Sequence, residues 1–316
     1  MLPNSKYRRT GVPRGVVPCD LGEGHEHVGI SGALGNVRTR ILAGAVRPGE
    51  ALPWKTMLAD LEGIGRSRSI VIQPGLSAHA PYYEPVRLLY QRLGFDASVS
   101  AVRAHGLLSI PDDAAQLAVA VRASSARSIA AGGTGLVTVI GHSEGGPSSR
   151  YALQRLGILP QVDRLITWGG VHNGSMPMGS TLAQIADRIP GLAAVKDLSG
   201  TGQLIRGLND DLPEFMATAR REQPGFQMVS IAGDIDLPGP LRGTDGLVSL
   251  GAARLDDRID GLHNLVLRDR AANHLSIAGT GGMHEPSIRG AALLAGGHDV
   301  SVVARSLIER GAKLSI

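Results

Sequence analysis

The pentapeptide Gly141-His142-Ser143-Glu144-Gly145 has the form G-x-S-x-G, a setting in which a serine can attack an acyl carbon. With 43 glycines in 316 residues, the spelling by itself carries little weight. Its surroundings carry more. The apolar run Leu136–Ile140 reads as a strand that ends just before the motif, and a helical pattern, Pro147 to Leu156, begins just after it. Ser143 is therefore expected on a tight strand-to-helix turn. Such a turn pushes the hydroxyl out above the sheet, and glycines at 141 and 145 avoid collisions with the neighbouring strand and helix. The first turn of the helix brings free N–H groups and the positive end of its dipole to a developing oxyanion.

A serine hydroxyl is a poor nucleophile until a base takes its proton. Ten histidines compete for that role. Working residues of an open α/β sheet gather beyond the carboxyl ends of the strands. His274 lies there, in the loop after the expected strand Asn264–Leu267. His263 precedes that strand, and His298 stands beside the last helix. His284, ten residues further along the same loop region, is the rival. An acid that orients the imidazole belongs after the strand Gln227–Ala232, in the order serine, acid, histidine. Asp234, Asp236 and Asp245 all meet that condition. Asp234 follows the strand soonest, and Asp245 lies in a glycine-flanked turn, Gly243-Thr244-Asp245-Gly246.

These residues need a scaffold, and the chain supplies an alternating one. Ile70-Val71-Ile72 is a short, wholly apolar run, as a strand buried on both faces should be. Tyr82 to Leu93 has apolar residues at helical spacing, with Gly94 placed to end the helix. A strand is expected at Ala97–Val102 and a helix at Asp112–Ala130. Further strands follow at Leu165–Trp168, Gln227–Ala232 and Asn264–Leu267, with a closing helix near Ser301–Arg310. Strands alternating with helices of this length predict βαβ units and one mostly parallel sheet covered on both faces. Residues 1–66 form an N-terminal extension of weak pattern, packed on or leading into the core. Residues 67–316 form the catalytic domain, and 174–225 interrupt its rhythm with short helical patterns that read as a cap over the active site.

Composition excludes several functions. The net charge is +4 and cations and anions are interleaved, so nucleic acid is not an expected partner. Cys19 is the only cysteine, which rules out an intramolecular disulfide. His25-Glu26-His27 lacks a third ligand at useful spacing, so no metal is assigned. No apolar run is long enough to span a bilayer. Met1 to Pro13 lacks the apolar core of a secretory signal, which leaves a cytoplasmic protein or a secreted one without its signal.

Taken together, Val139–Pro147, Gln73-Pro74-Gly75-Leu76, Asp245-Gly246-Leu247-Val248 and Asn273-His274-Leu275 resemble the bacterial triacylglycerol lipases and esterases of the α/β-hydrolase superfamily, over roughly Arg66 to Met283. Ile166 to Ser175 is similar to the segment after the next strand in those lipases. The resemblance implies an α/β-hydrolase fold with a helical cap insertion. It implies a triad of Ser143, Asp245 and His274, and an oxyanion hole made by the backbone N–H groups of Leu76 and Glu144. Two departures stand out. Pro74-Gly75 replaces a common His-Gly pair, and Ser276 stands where calcium-binding members carry an aspartate, so the calcium site is not carried over.

The expected activity is hydrolysis of a small-molecule ester or a lipid through an acyl-enzyme, with no cofactor. A thioesterase or acyltransferase would use the same residues with a different acyl donor or acceptor. A non-catalytic binding protein on this scaffold would have lost a member of the triad.

Overall fold

Alternation within each strand decides how this molecule is layered. In the computed structural model, β1 (Ser69–Gln73) sends Ile70 and Ile72 to one face of the sheet and Val71 to the other. The same division runs through β3 (Val137–His142), β4 (Val162–Trp168) and β5 (Gln227–Asp234), which follow the short edge strand β2 (Asp96–Val99). The structure describes residues 53–76, 78–102, 108–174, 197–198, 202–237 and 242–316, all within a unit spanning Leu42–Ile316. Adding β6 (Leu262–Arg268) and β7 (Leu314–Ser315) gives a seven-stranded sheet of order β2-β1-β3-β4-β5-β6-β7. The first six strands are parallel and β7 is antiparallel to β6. A parallel sheet must be covered on both sides, since its crossovers lie on both faces.

Helix α1 (Pro53–Asp60) falls in the stretch that the sequence leaves unpatterned. Met57, and Leu61 just beyond the helix, join the core on one face of the sheet, beside α2 (Glu84–Arg92). Helices α3 (Ile110–Ala130) and α4 (Gly145–Arg155) cover the opposite face. Ser109 caps α3, its hydroxyl accepting from the Asp112 N–H.

The chain leaves β4 towards residues 175–196, which lie outside the described residues, as do Cys19 and His25-Glu26-His27. The chain is described again continuously at α5 (Gln203–Asp210) and α6 (Leu212–Glu222). In α6, Leu212, Met216 and Ala219 pack into the core beneath the sheet with Val139, Leu165 and Met228. It is a crossover helix that feeds β5. Ile205 and Leu208 of α5 pack in a smaller cluster with Ile110, Val171, Leu198 and Val248. After a single-turn helix α7 (Leu250–Ala253) and β6, α8 (Glu285–Ala295) and α9 (Val300–Glu309) complete the first face.

Candidate active site

Strand β3 ends at His142 and α4 begins at Gly145, which leaves two residues for the reversal. Ser143 makes the turn with φ of +56°, in the left-handed region that side chains with a Cβ rarely enter. The turn is held from both sides. The Ser143 N–H donates to the Trp168 carbonyl at 2.9 Å, and the Ser143 carbonyl accepts from Gly146 at 3.0 Å and Val171 at 3.2 Å. A Cβ on Gly141 would lie 2.5 Å from the Gly145 carbonyl, and one on Gly145 would collide with the Gln73 carbonyl. Both glycines are dictated by close backbone approach rather than by turn flexibility.

The loop after β1 meets this turn. A Cβ on Gly75 would stand 2.7 Å from the His142 carbonyl, 2.8 Å from the Ser143 Cβ and 3.5 Å from the Glu144 nitrogen. The Gly75 backbone thus lies against the turn of Ser143 and Glu144, with Leu76 the next residue along the loop. Among the described residues, neither the Leu76 N–H nor the Glu144 N–H donates to a backbone carbonyl. Two free donors beside a serine at a helix N-terminus can hold an oxyanion.

Glu144 points its side chain the other way, into the protein. It is fully buried, accepts from the Ser148 hydroxyl, and its Oε2 has no hydrogen-bond partner among the described residues. Burial raises its carboxyl to about 8. The nearby negative charges of Asp113 and Asp197 add to that shift and the Ser148 bond opposes it.

Asp245 and His274 come from loops at the ends of β5 and β6. Asp245 Oδ1 accepts from the N–H groups of Val248 at 2.7 Å and Leu247 at 3.0 Å, so the turn that carries the carboxylate also aims it. Its Oδ2 lies 2.7 Å from His274 Nδ1. The exposures are 2% for Asp245 and 5% for His274, so water barely competes for this bond. No hydrogen bond joins His274 to Ser143 in this structure; the bonded pair is Asp245–His274.

The other candidates lie elsewhere. Asp234 is still within β5, 3.7 Å from Arg268 on β6, and accepts from the Asp236 N–H. Asp236 follows it in an exposed turn with φ of +52°. His284 sits buried at the start of α8, its Nε2 3.8 Å from Asp269. Ser276, at the position of the calcium-site aspartate, bonds through its hydroxyl to the carbonyls of Ala271 and Asn273. Among the described residues, no group of three His, Cys, Asp or Glu is arranged to hold a metal ion, and no helix is long and apolar enough to cross a membrane.

Two residues that the sequence did not single out belong to this site. The Tyr83 hydroxyl lies 2.7 Å from His142 Nδ1 and 3.2 Å from the Gly75 nitrogen, and His142 Nε2 lies 2.9 Å from the His274 carbonyl. His142 was visible only as the variable residue of the motif. Tyr83 was one aromatic in a helical pattern, with no signal of its own.

No family model matches the chain. A triacylglycerol lipase of Vibrio cholerae is 32% identical over 165 residues, which are 42% of this chain and 52% of the lipase. The match thus spans about half the length of that curated relative. Phospholipase PlaB from Legionella pneumophila superposes with a TM-score of 0.53 at 15% identity, covering 77% of this chain and 62% of the phospholipase. The propeptide form of Bacillus licheniformis lipase BlEst2 gives 0.50 at 20% identity, covering 67% and 47%. With the sheet order above, these likenesses show the α/β-hydrolase fold.

Proposed function

We propose that this chain is a serine hydrolase that cleaves carboxylic esters, lipid esters among them, through an acyl-enzyme on Ser143. The observation that carries this reading is the buried Asp245–His274 hydrogen bond set beside a serine on a strained strand-to-helix turn. Likeness to a triacylglycerol lipase supports the ester as the substrate class.

In this mechanism His274 Nδ1–H donates to Asp245, which leaves the Nε2 lone pair to accept the Ser143 proton. The serine oxygen then attacks the ester carbonyl. The carbonyl oxygen takes up negative charge between the N–H groups of Leu76 and Glu144, which require no reorganisation to receive it. Asp245 stabilises the imidazolium, which next protonates the departing alcohol. A water then gives its proton to His274 as it attacks the acyl carbon. The second tetrahedral intermediate collapses, Ser143 regains its proton and the acid leaves. The missing serine–histidine bond is compatible with this sequence of steps, since such bonds often tighten only when substrate is bound.

A series of p-nitrophenyl esters of increasing acyl length tests the reading, combined with fluorophosphonate labelling and peptide mapping. The expected result is turnover of at least one ester and a label on Ser143. A protein that turns over none of them, or is labelled equally well as Ser143→Ala, would overturn it.

A further inference from the structure

Three loops meet at this site: Gly75–Leu76, His142–Ser143 and the loop carrying His274. Side chains that touch no reacting atom tie them together. The His274 carbonyl can only accept, so His142 Nε2, at 2.9 Å, must carry the ring hydrogen. His142 Nδ1 is then a bare lone pair, and the Tyr83 hydroxyl, at 2.7 Å, must donate to it. That leaves the Tyr83 oxygen to accept from the Gly75 N–H at 3.2 Å. One assignment of hydrogens satisfies every atom of the chain Gly75 N–H, Tyr83 O–H, His142, His274 carbonyl.

The groups are also suited to staying put. Tyr83 and His142 are buried, and the tyrosine and histidine rings meet edge to face at 5.8 Å. The His142 and His274 rings lie 4.7 Å apart. Burial, reinforced by the nearby His274 charge, drives the His142 pKa well below the usual histidine range, while its hydrogen bond to the His274 carbonyl opposes the shift. Burial likewise raises that of Tyr83, partly offset by the Gly75 N–H bond. Both remain neutral, as the relay requires. The groups that face it are His274 and Glu144, the latter held neutral up to about pH 8.

We propose that Tyr83 and His142 are positioning residues for the ester-hydrolase reaction. They fix the oxyanion donor at Leu76, the nucleophile Ser143 and the base His274 in one frame, and this inference rests on the reading of the site given above. Each end of the relay grips the backbone immediately beside, or of, a working residue. Its loss displaces those residues by tenths of an ångström without removing any of them. Catalysis depends on such distances far more steeply than binding does.

The test is a double-mutant cycle on Tyr83→Phe, His142→Leu and the double variant. It reads kcat and KM on the best p-nitrophenyl ester, together with thermal melts. Each single variant is expected to lower kcat by about 10- to 100-fold with KM nearly unchanged. The double variant should be no worse than the worse single, because either change already breaks the relay. Strictly multiplicative losses, or a Tyr83→Phe enzyme with wild-type kcat, would overturn the proposal while leaving the hydrolase reading intact. If the wild type turns over no ester, both fall. Should the variants not fold, the imidazole 15N shifts of the wild type still decide. A neutral His142 protonated on Nε2 from pH 5 to 9 is expected, and a hydrogen on Nδ1 or a titrating ring overturns the relay.

Discussion

Asp245 and His274, 29 residues apart, are joined twice: side chain to side chain at 2.7 Å, and from the His274 N–H to the Asp245 carbonyl at 2.9 Å. The second bond docks the histidine's own backbone on the aspartate's loop, so the imidazole does not depend on the carboxylate alone for its place. Replacing the carboxylate should therefore disturb the chemistry more than the fold.

Asp245→Asn is expected to lower kcat on a p-nitrophenyl ester by roughly 10³–10⁴-fold, with little change in melting temperature, because an amide cannot stabilise the imidazolium. Asp234→Asn should stay within about twofold of wild type, since Asp234 is bonded to the Asp236 N–H and lies 3.7 Å from Arg268, away from Ser143 and His274. Parallel kinetics on the two variants check this. The reverse order would remove Asp245 from the mechanism.

Ser143 holds a backbone conformation that costs any residue with a Cβ about 1–2 kcal/mol. Ser143→Gly should consequently melt higher than Ser143→Ala by about 2 °C, although both are inactive. Thermal unfolding followed by circular dichroism is the measurement. Equal melting temperatures would show that the turn stores no strain.

Glu144 gives a pH dependence with a defined sign. Its folded-state pKa, about 8, lies above the ordinary 4.5. The stability associated with the neutral buried form is fully present below about 4.5 and is lost as the pH rises through 8. Glu144→Gln, which cannot ionise, should lose less melting temperature than wild type between pH 5 and pH 9. Its backbone N–H, the proposed oxyanion donor, is unaltered, so activity at pH 7 should be retained to within about an order of magnitude. Identical melting profiles would place the carboxylate in contact with water.

Gly75→Ala puts a methyl group 2.7 Å from the His142 carbonyl and 2.8 Å from the Ser143 Cβ. The loop must retreat, and the Leu76 N–H with it. A loss of kcat on the order of 10²-fold is expected, the magnitude associated with one oxyanion donor, with a smaller effect on KM. Steady-state kinetics check it. A variant with wild-type turnover would mean that Leu76 does not hold the oxyanion.

The parallel strands and the turn at Ser143 were legible because buried strands are short apolar runs and their turns need glycine. Helix α8 was not, and its packing explains why. Ser287 through Ala295 are all buried, so the helix has no polar face and no 3.6-residue stripe to read. Helix α1 inserts little more than Met57 and, just after its end, Leu61, too few to register as a period. The choice among Asp234, Asp236 and Asp245 could not be made from the residues alone. Strand β5 runs two residues further than its apolar part, which locks Asp234 in register with Arg268. The Tyr83–His142 contact joins residues 59 apart and depends wholly on how the turn leading into α2 lies against the end of β3, which no local pattern encodes.

The antiparallel strand β7 is only Leu314–Ser315, yet it occupies the open side of β6, and the Arg268 N–H donates to the Lys313 carbonyl at 2.8 Å. At the opposite margin β2 has four residues and begins at Asp96, paired with Arg127. Unpaired strand margins recruit strands from other molecules, and short pairing segments flanked by charge discourage that. Strand β6 carries Leu265, Val266 and Leu267, a sticky template were it left bare. By pairing with Val266 and Leu267, the two-residue strand leaves less of that margin open to another molecule, out of proportion to the few bonds it adds to the fold.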